Sequence, residues 1–147
     1  MPTNNLKQIL LVEDNSHDAE LTLLMLGKCG LPIKIDRVCD GAEALDYLYR
    51  RGPYTSRAEE NPIVVLLDLK MPKVNGVEVL REVKADENLQ SIPIVILTSS
   101  REPKDLQECY RLGANGYVVK PVDGEQFTQA IKNLGAFWAA TNELPPA

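Results

Sequence analysis

The sequence predicts an α/β protein built on a parallel sheet, and two observations carry that expectation. Short apolar runs near residues 8–12, 33–38, 63–68, 93–98 and 116–119 alternate with longer segments of helical character, which is the rhythm of consecutive βαβ units. The runs are also apolar almost without interruption, as in Ile9-Leu10-Leu11-Val12 and Ile63-Val64-Val65-Leu66-Leu67. Strands read this way when helices cover both faces of their sheet.

Each element has its own local signal. The first strand closes on Glu13-Asp14, and a helix is expected over about 16–29. Its Leu21, Leu23, Leu24, Met25 and Leu26 surround much of its girth, as in an element wedged between a sheet and neighbouring helices. Gly27 to Gly30 end it, with Pro32 as a breaker beyond. After the second strand, Asp40 and Glu43 have capping-box spacing and start the second helix; Asn75 and Glu78 do the same after the third strand. Asp123 with Gln126 is a weaker version before the last helix. The stretch 51–62 is polar, rich in turn residues and longer than a usual connection, so it reads as a surface loop with a role in partner choice. In the last helix Phe127, Ile131, Leu134 and Trp138 form one apolar stripe. As far as Leu134 the stripe is expected to pack on the sheet. Phe137 and Trp138 lie past the length needed to cover a short sheet, which leaves them open to packing or to an intermolecular contact.

Size and composition exclude several classes. A chain of 147 residues is expected to form one domain spanning 1–147, burying about two thirds of the surface that it exposes when unfolded. Net charge is −5 with basic residues scattered among acids, which argues against direct nucleic-acid binding because phosphate recognition needs clustered Lys and Arg. Cys29, Cys39 and Cys109 have no CxxC spacing and read as reduced thiols of a cytoplasmic protein. No apolar run approaches the roughly 20 residues that span a bilayer, so no membrane role is expected.

The chemistry is expected where the strands end, because open α/β sheets bind ligands at the carboxyl ends of their strands. Glu13 and Asp14 end the first strand, Asp68 the third, Thr98-Ser99 the fourth and Lys120-Pro121 the fifth. Three carboxylates facing one crevice repel one another unless a counter-charge intervenes. With hard oxygens as the only ligands, the expected ion is Mg²⁺. Asp14 and Asp68 are the expected direct ligands, with Glu13 acting through water. Asp68 is then a nucleophile toward phosphorus, forming an acyl phosphate. Lys120 can pair with one phosphoryl oxygen, Thr98 can hydrogen-bond another, and backbone N–H groups after Asp68 and Thr98 add donors. Proline after Lys120 raises the question of a cis bond there.

Glu13-Asp14, Asp68 within Asp-Leu-Lys-Met-Pro-Lys-Val-Asn-Gly, Thr98-Ser99 and Lys120-Pro121 together resemble the receiver domain of two-component response regulators, from about Lys7 to Leu134. The resemblance implies a flavodoxin-like (βα)5 fold with strand order 2-1-3-4-5. It also implies that Asp68 takes phosphate from a histidine kinase, that Asp14, Asp68 and the backbone carbonyl of Lys70 bind Mg²⁺, and that Glu13 helps orient the ion. Thr98 and Tyr117 match the family's switch pair, although plain strand packing is the other reading of Tyr117. His17 reads as a surface residue of the helix start rather than a phosphate carrier. Such a protein is no enzyme beyond Mg²⁺-dependent self-phosphotransfer and autodephosphorylation. Output would be by contact with a downstream protein whose identity the sequence does not give.

The loop at 51–62, Leu97-Thr98-Ser99-Ser100, Tyr110 through Lys120, Pro121-Val122-Asp123 and Phe137-Trp138 are similar to the small receivers that partner bacterial phytochrome kinases. This implies a phytochrome-like sensor kinase as partner, and a homodimer through the fourth helix, fifth strand and fifth helix with help from the tail. Three other readings compete. A haloacid-dehalogenase-type phosphatase needs a second acid where Lys70 stands. A flavin carrier needs donors and glycines where the first loop is acidic. A module that keeps the fold but signals without phosphate would not need the complete acid, hydroxyl and lysine set.

Overall fold

The computed structural model describes residues 7–28, 30–57, 60–71, 73–120 and 124–145. Among these residues five strands, β1 (Lys7–Val12), β2 (Ile33–Val38), β3 (Val64–Leu67), β4 (Ile94–Thr98) and β5 (Gly116–Val119), alternate with five α-helices. The helices are α1 (Ser16–Gly27), α2 (Gly41–Tyr49), α3 (Gly76–Ala85), α4 (Pro103–Leu112) and α5 (Gly124–Ala136). The sheet runs in the order β2-β1-β3-β4-β5 with every neighbouring pair parallel. This is the α/β receiver topology expected from the sequence.

Strand alternation sorts the core into two layers. Leu10, Val12, Val65, Leu67, Ile94 and Ile96 face α2, α3 and α4, while Ile9, Leu11, Val64, Leu66, Val95 and Leu97 face α1 and α5. Both faces of the three central strands are therefore dry, which explains their unbroken apolar sequence.

The helix starts follow their capping residues. Asp40 accepts from the Glu43 N–H and Asn75 from the Glu78 N–H, satisfying donors that the first turn cannot use. Glu43 reaches back to the Cys39 N–H at 2.8 Å, one residue before the N-cap. Helix α1 is capped by Asn15, which accepts from the Asp18 N–H, and α4 opens on Pro103 without a side-chain cap. The expected Asp123 cap and the Lys120–Pro121 bond lie outside the described residues, as does Cys29. Cys39 is an exposed free thiol and Cys109 a buried one.

The connection from α2 to β3 is more anchored than its polar sequence conveys. Gly52–Tyr54 form a 3-10 turn, and the Tyr54 ring meets Tyr47 edge-on at 5.2 Å while its hydroxyl donates to Glu43 at 2.6 Å. Arg57 lies over the Tyr47 ring, 4.2 Å from its centroid. At the other end of the chain α5 passes into a π-helical turn, Phe137–Thr141. Phe127 and Ile131 are buried, Leu134 and Trp138 pack at the edge of the core, and Phe137 is 47% exposed. Among the described residues, no helix is long and apolar enough to cross a membrane.

Candidate functional site at the carboxyl ends of the strands

Register alone brings the site together. Val12 pairs with Leu67, so Glu13 and Asp68 leave their strands side by side, and the Asp68 N–H donates to the Val12 carbonyl at 3.1 Å. Thr98 pairs with Val119, and the Lys120 N–H donates to the Thr98 carbonyl at 2.7 Å. The chain leaves β1 toward β2 on one side and returns to β3 on the other, which makes this the topological switch point where such sheets hold ligands.

Two backbone arrangements fix the positions of the acids. Arg37 of β2 donates from both Nε and Nη2 to the Glu13 carbonyl, at 3.1 and 3.0 Å, pinning the β1–α1 turn. At the start of α3, Gly76 passes so close to the end of β3 that a Cβ there would lie 2.1 Å from the Asp68 carbonyl oxygen. Only glycine permits that approach, and its N–H donates to the Leu69 carbonyl at 2.9 Å.

Carboxylate oxygens of Glu13, Asp14 and Asp68 lie within 4.8 Å of one another. Glu13 is 1% exposed and Asp68 9%, whereas Asp14 faces solvent. The Lys120 ammonium sits among the acids, 2.5 Å from Glu13 Oε1, 3.0 Å from Asp18 Oδ2 and 3.4 Å from Asp68 Oδ2. Burial pushes the Glu13 carboxyl up to about 7, with the Asp68 charge adding to the rise and the hydrogen bond from Lys120 opposing it. Burial by itself would lower Lys120, yet its hydrogen bond to Glu13 and the charges of Asp68 and Glu13 hold it above its ordinary value. One ammonium facing this many carboxylates leaves the pocket negative. An all-oxygen donor set with unspent negative charge fits a hard divalent cation.

The remaining expected residues fall around this centre. Thr98 is 1% exposed, and its Oγ1 accepts from the Ser100 N–H at 3.4 Å. Tyr117 is half-buried on β5 and donates its hydroxyl to the Ser100 carbonyl at 3.0 Å, so Thr98 and Tyr117 bear on the same β4–α4 segment. The Leu69 N–H donates to Asp68 Oδ1 at 2.8 Å. Lys70, two residues after Asp68, is exposed between the buried Leu69 and Met71, and His17 is exposed at the start of α1. Phe137 and Trp138 are remote from the pocket; their rings meet edge-on at 5.0 Å beside a shallow groove lined also by Val118, Ala130 and Leu134. Sequence reading missed Asp18, because nothing local links α1 to the lysine that follows β5.

The response regulator receiver domain model matches residues 9–132. A parallel sheet in this order with acids, hydroxyl and lysine at its carboxyl edge defines a receiver, and the chain belongs to that family, whose members serve two-component signalling. It is 37% identical to the probable methanogenesis regulatory protein FilR2 of Methanothrix harundinacea, over 93% of this chain and 86% of the relative. To the response regulator Rcp1 of Synechocystis it is 34% identical over 99% and 97%. The phosphorylated cyanobacterial phytochrome response regulator RcpA superposes with a TM-score of 0.90 at 38% identity, covering 96% and 99%. The bacteriophytochrome response regulator RtBRR is 56% identical with a TM-score of 0.77, covering 96% and 85%. An Mn²⁺-bound form of Rcp1 superposes at 0.89 with 34% identity, over 95% and 99%.

Proposed function

We propose that this chain is a phosphorylation-driven response regulator in which Asp68 accepts a phosphoryl group from the phosphohistidine of a sensor kinase of the phytochrome type. The observation that carries this reading is the meeting of Glu13, Asp14 and Asp68 around an ammonium 3.4 Å from Asp68. Its partner assignment draws support from the phytochrome response regulators RcpA and RtBRR, to which the chain is similar.

An Asp68 oxygen attacks phosphorus, the bond from phosphorus to the kinase's imidazole nitrogen breaks, and that nitrogen keeps the electron pair. Phosphoryl transfer asks the protein mainly for positioning and charge neutralisation. Lys120 supplies one positive partner for a phosphoryl oxygen and Thr98 a hydroxyl donor for another. Asp14, Asp68 and the Lys70 carbonyl would hold Mg²⁺ directly and Glu13 through water; the ion's chemistry is neutralisation of phosphoryl charge. Hydrolysis of the acyl phosphate by water, returning Asp68 and free phosphate, resets the protein.

The phosphoryl group biases a two-state equilibrium, with Thr98 turning toward it and Tyr117 moving with the β4–α4 segment. Moving a 1:99 equilibrium to 99:1 takes about 5.5 kcal/mol, which a few charge-assisted hydrogen bonds at about 1.5–3 kcal/mol each can provide. The output is contact with a downstream protein in the cytoplasm. A homodimer forms through α4, β5 and α5 with Phe137 and Trp138 in its interface.

Incubation with a small acyl phosphate and Mg²⁺ tests the core of this reading. Intact-mass measurement should find one phosphoryl group on the wild type and none on Asp68→Asn. Equal labelling of the variant would overturn the assignment, and an unlabelled wild type would favour a module that signals without phosphate.

A further inference from the structure

We propose that Asp18 is a positioning residue for Lys120, holding the ammonium in the pocket when a divalent cation takes the other carboxylates. This rests on the metal-binding reading given above. Lys120 and a cation compete for the same oxygens, since its two other carboxylate contacts, Glu13 at 2.5 Å and Asp68 at 3.4 Å, both belong to the three-acid cluster. Among the described residues its remaining carboxylate contact, Asp18 at 3.0 Å, comes from α1 and stands outside that cluster. A lysine without it would meet the arriving cation with no counter-charge of its own. It would then either block the site or be repelled from it.

The pair is built to hold. The Lys120 side chain is 11% exposed and Asp18 35%. Asp18 is fixed from its backbone, because its N–H donates to the Asn15 cap at 2.9 Å and its carbonyl accepts from the buried Thr22 hydroxyl at 2.8 Å. Both residues also line a groove of about 360 Å³ between α1 and α5, whose walls include Leu21, Met25 and Phe127. Asp18 therefore draws the ammonium toward the groove side of the pocket while leaving it within reach of Asp68.

Mn²⁺ binding to the full chain, followed by calorimetry at pH 8, tests the pair through a double-mutant cycle. Asp18→Asn should weaken Mn²⁺ binding about fivefold, the equivalent of about 1 kcal/mol, and Asp18→Glu should restore most of it. Lys120→Met should tighten binding, and adding Asp18→Asn to that variant should change it less than twofold. A purely structural role for Asp18 would lower the melting temperature without this dependence on Lys120. Unchanged binding in Asp18→Asn, or the same fivefold loss with and without Lys120, would overturn the inference alone. A wild type that binds no Mn²⁺ would overturn the metal centre as well.

Discussion

Lys120 Nζ lies 2.5 Å from Glu13 Oε1, joining the ends of β1 and β5 across a pocket where Glu13 is almost wholly buried. Removing the ammonium leaves Glu13 to ionise in a dry site or to keep its proton. Lys120→Met should therefore cost about 1–2 kcal/mol more metal-free stability at pH 8, where ionisation of Glu13 is demanded, than at pH 5.5, where Glu13 keeps its proton and only the contacts to Asp18 and Asp68 are lost. Urea midpoints at the two pH values check this. An equal loss at both would mean that the lysine's contribution does not depend on the ionisation of Glu13.

Glu13 carries a second expectation. Its carboxyl stands at about 7 against an ordinary 4.5, so between those values the folded protein binds more protons than the unfolded one. Stability from this group is full below about pH 4.5, falls as pH rises toward 7 and levels off above; the total is roughly 3 kcal/mol. Glu13→Gln should flatten that slope in metal-free protein. Because Glu13 must lose its proton to face a cation, Mn²⁺ affinity should rise from pH 5.5 to pH 7.5, with proton release measurable near pH 6.5.

Gly76 ties helix placement to site geometry. Any Cβ would collide with the Asp68 carbonyl at 2.1 Å and with Leu69 Cα at 2.7 Å, both backbone atoms with nowhere to yield. Gly76→Ala should lower stability by about 3 kcal/mol and displace the end of β3. Chemical denaturation checks the first effect, and a loss of Mn²⁺ affinity larger than that of a matched Gly124→Ala control checks the second. An added Cβ at Gly124 meets nothing within 4 Å.

These relationships differ in how far the sequence announces them. The ends of β1, β3, β4 and β5 were legible because each unbroken apolar run stops at a polar residue, and parallel register then carries those residues to one edge. The starts of α2 and α3 were legible because Asp40 and Asn75 act within three residues of themselves. Asp18 was not, since its partner is 102 residues away. Lys84 was equally silent; its ammonium bonds the Ile92 carbonyl at 2.8 Å and Asn115 Oδ1 at 3.0 Å, tying α3 to the loops before β4 and β5. A charge on an amphipathic helix gives no local sign of such a tertiary bond. The π-helical turn at Phe137–Thr141 was hidden because the regular 3.6-residue stripe continues into it.

Phe137 is 47% exposed beside Trp138, an arrangement that leaves an aromatic face on the surface of the α5 end. In the proposed homodimer this face is covered. Phe137→Ser should shift sedimentation from dimer toward monomer by at least tenfold in dissociation constant, as aromatic interface anchors do. Folding should be little affected, since Phe137 is not among the buried residues of either core layer. Unchanged sedimentation would remove Phe137 from the interface.

Tyr117 provides the last test, because its hydroxyl reaches the Ser100 carbonyl at 3.0 Å while Thr98 accepts from the Ser100 N–H at 3.4 Å. A change in Thr98 rotation therefore reaches Tyr117 through a single residue. Tyr117→Phe removes one neutral hydrogen bond, worth about 1 kcal/mol, and touches none of the pocket carboxylates. Labelling of Asp68 by an acyl phosphate should proceed at the wild-type rate, while amide exchange over Ser100 to Glu102 should quicken. Phosphorylation should then alter the α4 amide resonances less than in the wild type, because the segment has lost its link to β5. If the α4 response is undiminished, Tyr117 is strand packing and the signal leaves the site by another route.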